Sequence, residues 1–339
     1  MGSSMNKILV RSALFSLALF PTAVVAQPIE LKLALFGSDQ SSTYLTAVKP
    51  FVDSLNLEDK SLLKIVIYSG GVLGREVAQQ PQAVRDDKAD IAFVVPGYSP
   101  AAFPDNSVVE MPGMFRNTRE ATLVYTRLIA LKALRGYDEF SVLGAFVSEQ
   151  ETIHSRLPIA SLDDLKSKTI RVNNAMEANA LGKLGALPVS MPIMQVANAI
   201  SSGAIDGAAV SSTPLSDFGI KRVALNHYLL AISGAPLALL MNRKRFEALP
   251  ERAQGIIRKY SGEWLAARFI DAYDRSDSRV MEELKSDPKR RVVLPSSPDL
   301  ETVHIAFKSV VADWEAKSSG NRDLLRLAET ELTKLRASR

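Results

Sequence analysis

The chain of 339 residues contains no cysteine, which excludes thiol catalysis, iron–sulfur clusters and thiolate zinc sites. Histidine is scarce as well. The sequence has three, at His154, His227 and His304, and they lie too far apart for an HExxH metal motif. The G-x-S-x-G elbow, the Walker A loop and the G-x-G-x-x-G fingerprint are also absent. We therefore predict no catalytic residues, no bound metal and no cofactor.

Basic residues are not concentrated in any one segment. Lysine and arginine total 41 against 37 acidic residues, a formal net charge of +4, and no Lys/Arg-rich block stands out. A nucleic-acid surface needs its basic residues on one face, so we expect no nucleic-acid partner. Apolar residues make up 47% and charged residues 23%, an ordinary globular balance that can form a sizeable core.

The N-terminal segment has the pattern of a secretory signal peptide. Lys7 and Arg11 precede an uncharged apolar run of 15 residues that ends in the small residues Val24–Ala26. A membrane anchor is the alternative, but this run is interrupted by Pro21 and is shorter than the about 20 residues needed to span a bilayer. We therefore predict removal of residues 1–26 and a periplasmic location.

Apolar patterning predicts alternating strands and helices in the mature chain. Predicted strands cover residues 29–35, 62–68, 91–95, 142–147, 170–172, 187–191, 204–210 and 237–241. Predicted helices cover residues 75–88, 119–134, 175–184, 193–202 and 215–225. Pro81 should kink or restart the first of these helices. The alternation runs twice, which indicates α/β architecture in two lobes.

The C-terminal third is predicted to be helical. From Pro250, apolar residues recur at helical spacing, with no proline before Pro288. One continuous helix of about 35 residues would reach roughly 50 Å and brace both lobes. Two helices that meet near residues 274–278 are the alternative. A last helical region runs from Pro298 to the C-terminus, with a predicted break at 318–320.

These elements predict how the chain is divided between the lobes. Residues 27–148 and about 237–270 are expected to form lobe 1, and residues about 149–236 are expected to form lobe 2. Residues about 271–339 would add helices that pack across both lobes. No segment of the mature chain is apolar for long enough to span a membrane.

Two short patterns have weak chemical meaning. Ser61–Lys64 matches S-x-x-K, but it opens a predicted strand, where the lysine does not turn back toward the serine as it does on a helix. Gly70–Gly74 precedes a predicted helix and could hold an anion on its backbone N–H groups. Such glycines more often only turn a strand into a helix, which is the interpretation we favour.

The most informative region is residues 158–214. It contains, in order, Pro158-Ile159, Leu162-Asp163-Asp164-Leu165-Lys166, Ile170-Arg171-Val172, Gly185-Ala186-Leu187-Pro188-Val189-Ser190-Met191-Pro192 and Gly203-Ala204-Ile205-Asp206-Gly207. This series resembles the solute-binding proteins of TRAP (tripartite ATP-independent periplasmic) transporters, in their dicarboxylate-binding family. Further similar segments are Tyr68–Glu76, Ala89–Ala92, Phe103–Pro112, Tyr228, Met241-Asn242 and Leu249-Pro250. The resemblance therefore covers nearly the whole mature chain.

The resemblance implies a two-lobed clamshell, the periplasmic binding protein fold, that closes over a ligand carboxylate. The arginine that forms the family's main salt bridge with the ligand corresponds to Arg171. A guanidinium presents paired N–H donors that match the two carboxylate oxygens, and a position at a strand end holds it rigidly. The alternative is a surface arginine paired with Asp163, Asp164 or Glu177.

One departure from the family pattern bears on the ligand. Many relatives carry a second arginine about eight residues before the Pro-Ile pair, which here falls near Gln150 or Glu151, and this segment contains none. A ligand with a second anionic group therefore has less support, which favours a mono-, hydroxy- or aromatic acid. Gln150 and His154 are candidates to hydrogen-bond such a ligand, although His154 could equally be a packed strand residue.

Other polar and aromatic residues are candidates for the same site. Asn173 lies two residues after Arg171 and is a polar candidate for contact with the ligand. The resemblance also implies an asparagine after the Asp206-Gly207 pair, and the hydroxyls of Ser211 and Ser212, which stand there instead, could replace it. Tyr98 and Phe103 follow a predicted strand end, where ligands bind in α/β sheets, and could stack on an aromatic ring.

The expected function is that of a TRAP solute-binding protein. It would capture a small organic acid and deliver it to the membrane permease subunits. Two alternatives belong to other classes: a binding protein that presents its ligand to a sensor kinase, and, less favoured, an enzyme on a similar fold.

Overall fold

The computed structural model describes residues 27–338. The strands are β1 Ile29–Ala34, β2 Leu63–Tyr68, β3 Ile91–Val94, β4 Phe140–Gln150, β5 Thr152–Ser155, β6 Thr169–Val172, β7 Leu187–Ser190, β8 Gly207–Val210, β9 Asn226–Tyr228, β10 Gly234–Asn242 and β11 Arg291–Val293. The helices are α1 Lys49–Glu58, α2 Gln80–Arg85, α3 Thr118–Ala130, α4 Leu162–Leu165, α5 Ala175–Lys183, α6 Ile193–Ser202, α7 Ser212–Asp217, α8 Arg243–Glu247, α9 Glu251–Lys259, α10 Glu263–Ser286, α11 Ser297–Glu315 and α12 Ser319–Ala337. The predicted signal peptide lies outside the described residues and stays a prediction.

The strands form two sheets, each with helices packed against it. In the first sheet the strand order is β2-β1-β3-β10-β4, with β1 parallel to β2 and β3 and with β10 antiparallel to β3 and β4. In the second sheet the order is β11-β9-β5-β8-β6-β7. The predicted α/β class with two lobes is confirmed. We call the sheets with their helices lobe 1 and lobe 2.

Two of the places where the chain passes between the sheets lie next to each other. Glu151 alone separates β4 of lobe 1 from β5 of lobe 2, and residues 229–233 connect β9 back to β10. The two connections are hydrogen-bonded to each other, because Glu151 N donates to Ser233 O at 2.7 Å and Ile232 N donates to Glu151 O at 3.1 Å. We call these two connections the crossover.

Helix α10 lies across both lobes. It contacts β4 and α3 of lobe 1 and also α7 and β11 of lobe 2. The rings of Phe146 on β4 and Phe269 on α10 stack with their centroids 3.5 Å apart, and Phe93 on β3 lies beside both. Aromatic pairs of this kind contribute about 0.5–1.5 kcal/mol beyond their buried area.

The prediction of one continuous helix from Pro250 was wrong. Helix α9 ends at Lys259 and α10 begins at Glu263, so the break lies well before the residues 274–278 of the alternative. Gly262 adopts a φ of 62°, a conformation that favours glycine, and its N–H donates to Leu143 O on β4 at 2.7 Å. The sheet therefore fixes the position of the break.

Two other predicted helices are shorter than expected. Pro81 lies in the first turn of α2, so the proline restarts a helix at Gln80 after a 3₁₀ turn instead of kinking a longer one. The helix predicted over 215–225 ends at Asp217, since Gly219 with its φ of 69° interrupts it. The predicted break near 318–320 is confirmed within two residues. Helix α11 ends at Glu315, and α12 begins at Ser319 with Ser318 as its N-cap.

Candidate ligand-binding cleft

A cleft lies between the two lobes, with an empty volume of about 720 Å³ when its open mouth is included. Its walls are mainly apolar and come from the ends of β1 and β3, from β10, and from α6 and α7 with their flanking loops. These apolar walls include Phe36, Phe93, Val95, Ile193, Phe218 and Leu237. The carboxyl ends of parallel strands meet here, where ligands bind in α/β sheets.

Arg171 is held rigidly at the wall that lobe 2 contributes. It lies on β6 between Ile170 and Val172, which face the hydrophobic core, and the side chain itself is only 1% exposed. Its Nε donates to the carbonyl of Met191 at 3.0 Å, and its Nη1 donates to that of Ala209 at 3.1 Å. Two backbone segments therefore fix the orientation of the guanidinium.

The Nη2 atom of Arg171 is directed to polar groups of the cleft. It donates to the hydroxyl of Tyr98, which comes from lobe 1, and weakly to Asn173 Oδ1 at 3.5 Å. Arg171, Tyr98, Asn173 and Ser211 all line the cleft. The structure thus brings together four of the residues that the sequence singled out.

The hydrogen-bond acceptors of Arg171 are two carbonyls, a hydroxyl and an amide, and all of them are uncharged. The acids considered as surface partners bind elsewhere: Asp163 pairs with Lys166, Asp164 accepts from a backbone N–H, and Glu177 accepts from Asn173 N. Because none of these acceptors is charged, a ligand carboxylate would be the first charged hydrogen-bond acceptor of Arg171.

Three buried carboxyl groups, those of Glu110, Glu151 and Glu177, interact with one another, and Glu151 also interacts with Arg171. Asn174 caps α5, which places Glu177 in the first helical turn, where its Oε2 accepts from Asn173 N at 2.7 Å. One oxygen of each carboxyl group, namely Glu110 Oε1, Glu151 Oε2 and Glu177 Oε1, is buried without a hydrogen-bond partner among residues 27–338. We call these three residues the carboxyl cluster.

Two members of the carboxyl cluster favour the protonated form. Burial raises the pKa of Glu151 well above its usual range, and the Glu177 carboxylate raises it further, while Arg171 acts in the opposite direction. Burial raises the pKa of Glu110 to about 8, with a second contribution from the charge of Glu177. At pH 7 Glu110 is therefore mainly a neutral acid, and burial together with the Glu177 charge favours the neutral form of Glu151 as well.

Residues 36–318 match the family model of bacterial extracellular solute-binding protein, family 7. The chain belongs to this family. A 2,3-diketo-L-gulonate-binding periplasmic protein of Escherichia coli, YiaO, is 27% identical over 260 residues, which cover 73% of this chain and 77% of the relative. A solute-binding protein of Albidiferax ferrireducens is 25% identical over 84% of this chain and 85% of the relative.

Solved structures of TRAP solute-binding proteins have the same fold. One from a marine metagenome, described as specific for aromatic acid ligands and bound to metahydroxyphenylacetate, has a TM-score of 0.83 at 25% identity and covers 90% of this chain and 99% of its own. Another, from Rhodoferax ferrireducens with copurified benzoate, has a TM-score of 0.79 at 25% identity, with coverage of 90% and 98%. The resemblance to TRAP solute-binding proteins is confirmed.

Other sequence-predicted residues of this solute-binding protein lie outside the cleft. Gln150 Nε2 donates to Phe115 O at 2.7 Å, away from Arg171. Phe103 is carried past the cleft by the turn after β3, and its ring packs against Tyr137 with a centroid distance of 4.9 Å. Ser212 begins α7 and donates to Asp277 on α10. These three side chains do not line the cleft.

His154 also lies outside the cleft, as a fully buried residue of β5. Its Nδ1 lies 2.7 Å from Nδ1 of His227 on β9, and its Nε2 lies 3.0 Å from Thr152 Oγ1. Arg290 Nη1 lies 3.4 Å from His227 Nε2. Burial lowers the pKa of His154 well below its usual range, and burial followed by the Arg290 charge lowers the pKa of His227 to about 4. Both imidazoles are therefore neutral at pH 7.

Further contacts between the lobes bridge the cleft. The rings of Phe36 and Phe218 stack across it with centroids 6.5 Å apart. Asp217 at the end of α7 accepts hydrogen bonds from Ser42 N at 2.9 Å and Thr43 N at 3.5 Å, both of lobe 1. No motif in the sequence indicated these contacts, because their partners are about 175 residues apart.

Two further findings concern residues 27–338 as a whole. Within this range no helix combines the length and the apolar character that crossing a membrane requires. Nor do its Asp, Glu and His side chains form a group of three or more that is arranged to hold a metal ion.

Proposed function

We propose that this protein is a periplasmic TRAP solute-binding protein for a small aromatic monocarboxylate. The observation that carries the proposal is the position of Arg171. It is the single Lys or Arg side chain among the described residues that line the cleft, and it faces walls that are otherwise mainly apolar. Such a cleft matches a ligand with one carboxylate and an apolar body.

Arg171 would provide the anchor for the ligand carboxylate. A guanidinium has five N–H donors, and each charge-assisted hydrogen bond to a carboxylate contributes about 1.5–3 kcal/mol. The ligand oxygens would take over the Nη2 donor that now binds Tyr98, and Asn173 and Ser211 would add neutral hydrogen bonds. Because β6 and two carbonyls hold Arg171 in place, little side-chain entropy is lost on binding.

The apolar walls would bind the rest of the ligand. Phe36, Phe93 and Phe218 lie on both sides of the cleft, so a ring enclosed between the lobes could form several aromatic contacts. Each such pair contributes about 0.5–1.5 kcal/mol in addition to the buried area. A sugar acid such as the ligand named for YiaO carries many hydroxyls, whereas the exposed surface of these walls is mainly apolar.

The comparisons support the same ligand class. The two described structures at 25% identity contain metahydroxyphenylacetate and benzoate, both aromatic monocarboxylates. The protein would be secreted through its N-terminal signal peptide and would deliver the bound acid to the membrane permease subunits of a TRAP transporter. Family members are solute-binding proteins, which agrees with a transport role and not with catalysis.

Calorimetry with benzoate and metahydroxyphenylacetate tests the proposal. We expect dissociation constants in the micromolar range or lower, which correspond to a binding free energy of about −8 kcal/mol or stronger. Arg171→Ala should abolish binding, whereas Lys166→Ala, which removes one positive charge from the exposed surface of the same lobe, should leave it unchanged. Equal affinity of the wild type and Arg171→Ala would contradict the proposed site, and binding of sugar acids alone would contradict the ligand class.

A further inference from the structure

The crossover and the strand before it place two neighbouring residues, Gln150 and Glu151, in different surroundings. Gln150 donates to Phe115 O outside the cleft, whereas Glu151 lines the cleft in the crossover and is 3% exposed. A buried acid therefore lies in the cleft together with Arg171.

Charged and titratable groups face Glu151 from four elements. Glu177 approaches from α5, Arg171 from β6, Glu110 from the 3₁₀ turn at residues 106–110, and Tyr98 from the 3₁₀ turn after β3. A side-chain hydrogen bond with Glu177 is among the causes that raise the pKa of Glu151, and one buried oxygen of each carboxyl group has no other partner among residues 27–338. Two ionised carboxylates can only accept hydrogen bonds, so this contact requires a proton on one of them.

A shared proton also explains the unpartnered oxygens. Glu151 Oε2 and Glu177 Oε1 are both buried and have no donor among residues 27–338. Since the other oxygen of Glu177 accepts from Asn173 N, the negative charge of the pair is best placed on Glu177, at the N-terminus of α5. Glu151 is then the neutral acid.

We propose that Glu151 determines ligand specificity as a neutral carboxylic acid that shares one proton with Glu177. In this state the cleft binds a ligand with a single carboxylate, and it loses affinity for that ligand when the proton leaves. This inference rests on the proposed function, because it places the ligand carboxylate on Arg171.

The charges around Arg171 explain the selectivity. With the proton in place, the guanidinium and Glu177 offset each other, and one ligand carboxylate adds a single negative charge. Loss of the proton from Glu151 adds a further negative charge in the same desolvated region, where like charges repel strongly. A second carboxylate on the ligand would likewise add a negative charge to this region, and Glu151 provides no positive charge to pair with it.

The pH dependence of benzoate binding provides the first test. Benzoate is ionised throughout the range from pH 6 to pH 9.5, so changes in its affinity over this range report on the protein. For the wild type we expect the affinity to fall by up to about tenfold per pH unit once the shared proton begins to leave. Glu151→Gln, which keeps the shape but cannot ionise, should bind benzoate with a shallower pH profile, in which the remaining dependence comes from Glu110, whose pKa of about 8 lies in this range.

Controls separate the shared proton from other titrating groups. Burial raises the pKa of Tyr98, with Arg171 acting in the opposite direction, so Tyr98 could titrate only at the alkaline end. Tyr98→Phe should therefore keep the wild-type pH dependence. Terephthalate, with a second carboxylate, should bind to the wild type more than about tenfold more weakly than benzoate. Identical pH profiles for the wild type and Glu151→Gln would overturn the inference.

A second test needs no ligand. Infrared spectroscopy of the unliganded protein in heavy water at neutral pH should show a carboxylic-acid C=O band that Glu151→Gln removes, and Glu110→Gln should remove a separate component. Absence of the Glu151 component would overturn the inference even if benzoate binds through Arg171. If the component is present but benzoate does not bind at any pH, the shared proton stands and the aromatic-acid assignment fails.

Discussion

The hydroxyl of Tyr98 accepts a hydrogen bond from Arg171 Nη2 across the cleft between the lobes. Tyr98 follows β3 of lobe 1, and Arg171 lies on β6 of lobe 2, so this contact links the two lobes. The tyrosine hydroxyl accepts the hydrogen bond from the same Nη2 group that would donate to a ligand carboxylate. In the proposed site, ligand binding and this interlobe bond would therefore compete for the same N–H group.

Tyr98→Phe should change the stability of the empty protein and its affinity in opposite directions. Loss of the hydroxyl leaves a buried Nη2 donor without its best acceptor, which should destabilise the unliganded protein by about 1–3 kcal/mol. The free donor should then bind benzoate several-fold more tightly. Thermal unfolding without ligand and calorimetry with benzoate measure the two effects. Weaker binding by Tyr98→Phe would show that the hydroxyl instead contacts the ligand.

Much of the strand framework could be predicted because its signals are local. The predicted strands at 29–35 and 91–95 agree with β1 and β3 within one residue at either end. Alternation and short buried runs depend only on neighbouring residues. The break after Lys259 depends instead on a bond from Gly262 N to Leu143 O, between residues far apart in the chain. No local pattern contains that information.

The candidate site could be predicted only in part, for the same reason. The motif around Arg171 identified a strand and the residue on it, and the structure places that residue at the cleft. Which of Gln150 and Glu151 faces the cleft depends on the geometry of the crossover, where one residue joins two sheets. The contact of His154 with His227 likewise requires β5 and β9 to be neighbours, which the sequence did not indicate.

The buried histidine pair should make the protein sensitive to acid. Arg290 can only donate, so His227 accepts on Nε2 and carries its proton on Nδ1, which donates to His154 Nδ1. Burial holds the pKa of His227 at about 4, below the value near 6.5 expected in the unfolded chain. The unfolded state therefore binds more protons between these two values, and the free energy of unfolding falls as the pH decreases from 6.5 to 4.

Urea denaturation at a series of pH values measures this effect. Each histidine that is protonated only in the unfolded chain contributes about 1.4 kcal/mol per pH unit. His227→Gln should reduce the slope between pH 6.5 and pH 4, whereas His304→Gln, at an exposed position of α11, should leave it unchanged. A wild-type stability that is constant over this range would contradict the neutral tautomers assigned to the pair.

The bonds that Asp217 accepts from lobe 1 should favour the closed clamshell. Asp217→Ala removes the acceptor of Ser42 N and Thr43 N, and hydrogen bonds to a charged group contribute about 1.5–3 kcal/mol. We expect a larger radius of gyration in solution scattering and a benzoate affinity weaker by about tenfold, because part of the binding free energy must then close the lobes. Unchanged scattering and affinity would show that Phe36 and Phe218 suffice for closure.

The packing of α10 on β4 requires glycine at position 144. A Cβ atom added at Gly144 would lie 2.6 Å from Leu265 Cδ2 and 3.0 Å from its Cγ, closer than side chains tolerate. Gly144→Ala should therefore destabilise the protein by about 1–3 kcal/mol, since the helix must shift away from the sheet. Gly255→Ala is the matched control, because a Cβ atom there meets open space on α9 and should stabilise the protein by about 0.5–1 kcal/mol. Urea denaturation of both variants measures the difference, and equal stabilities would contradict the close contact between α10 and β4.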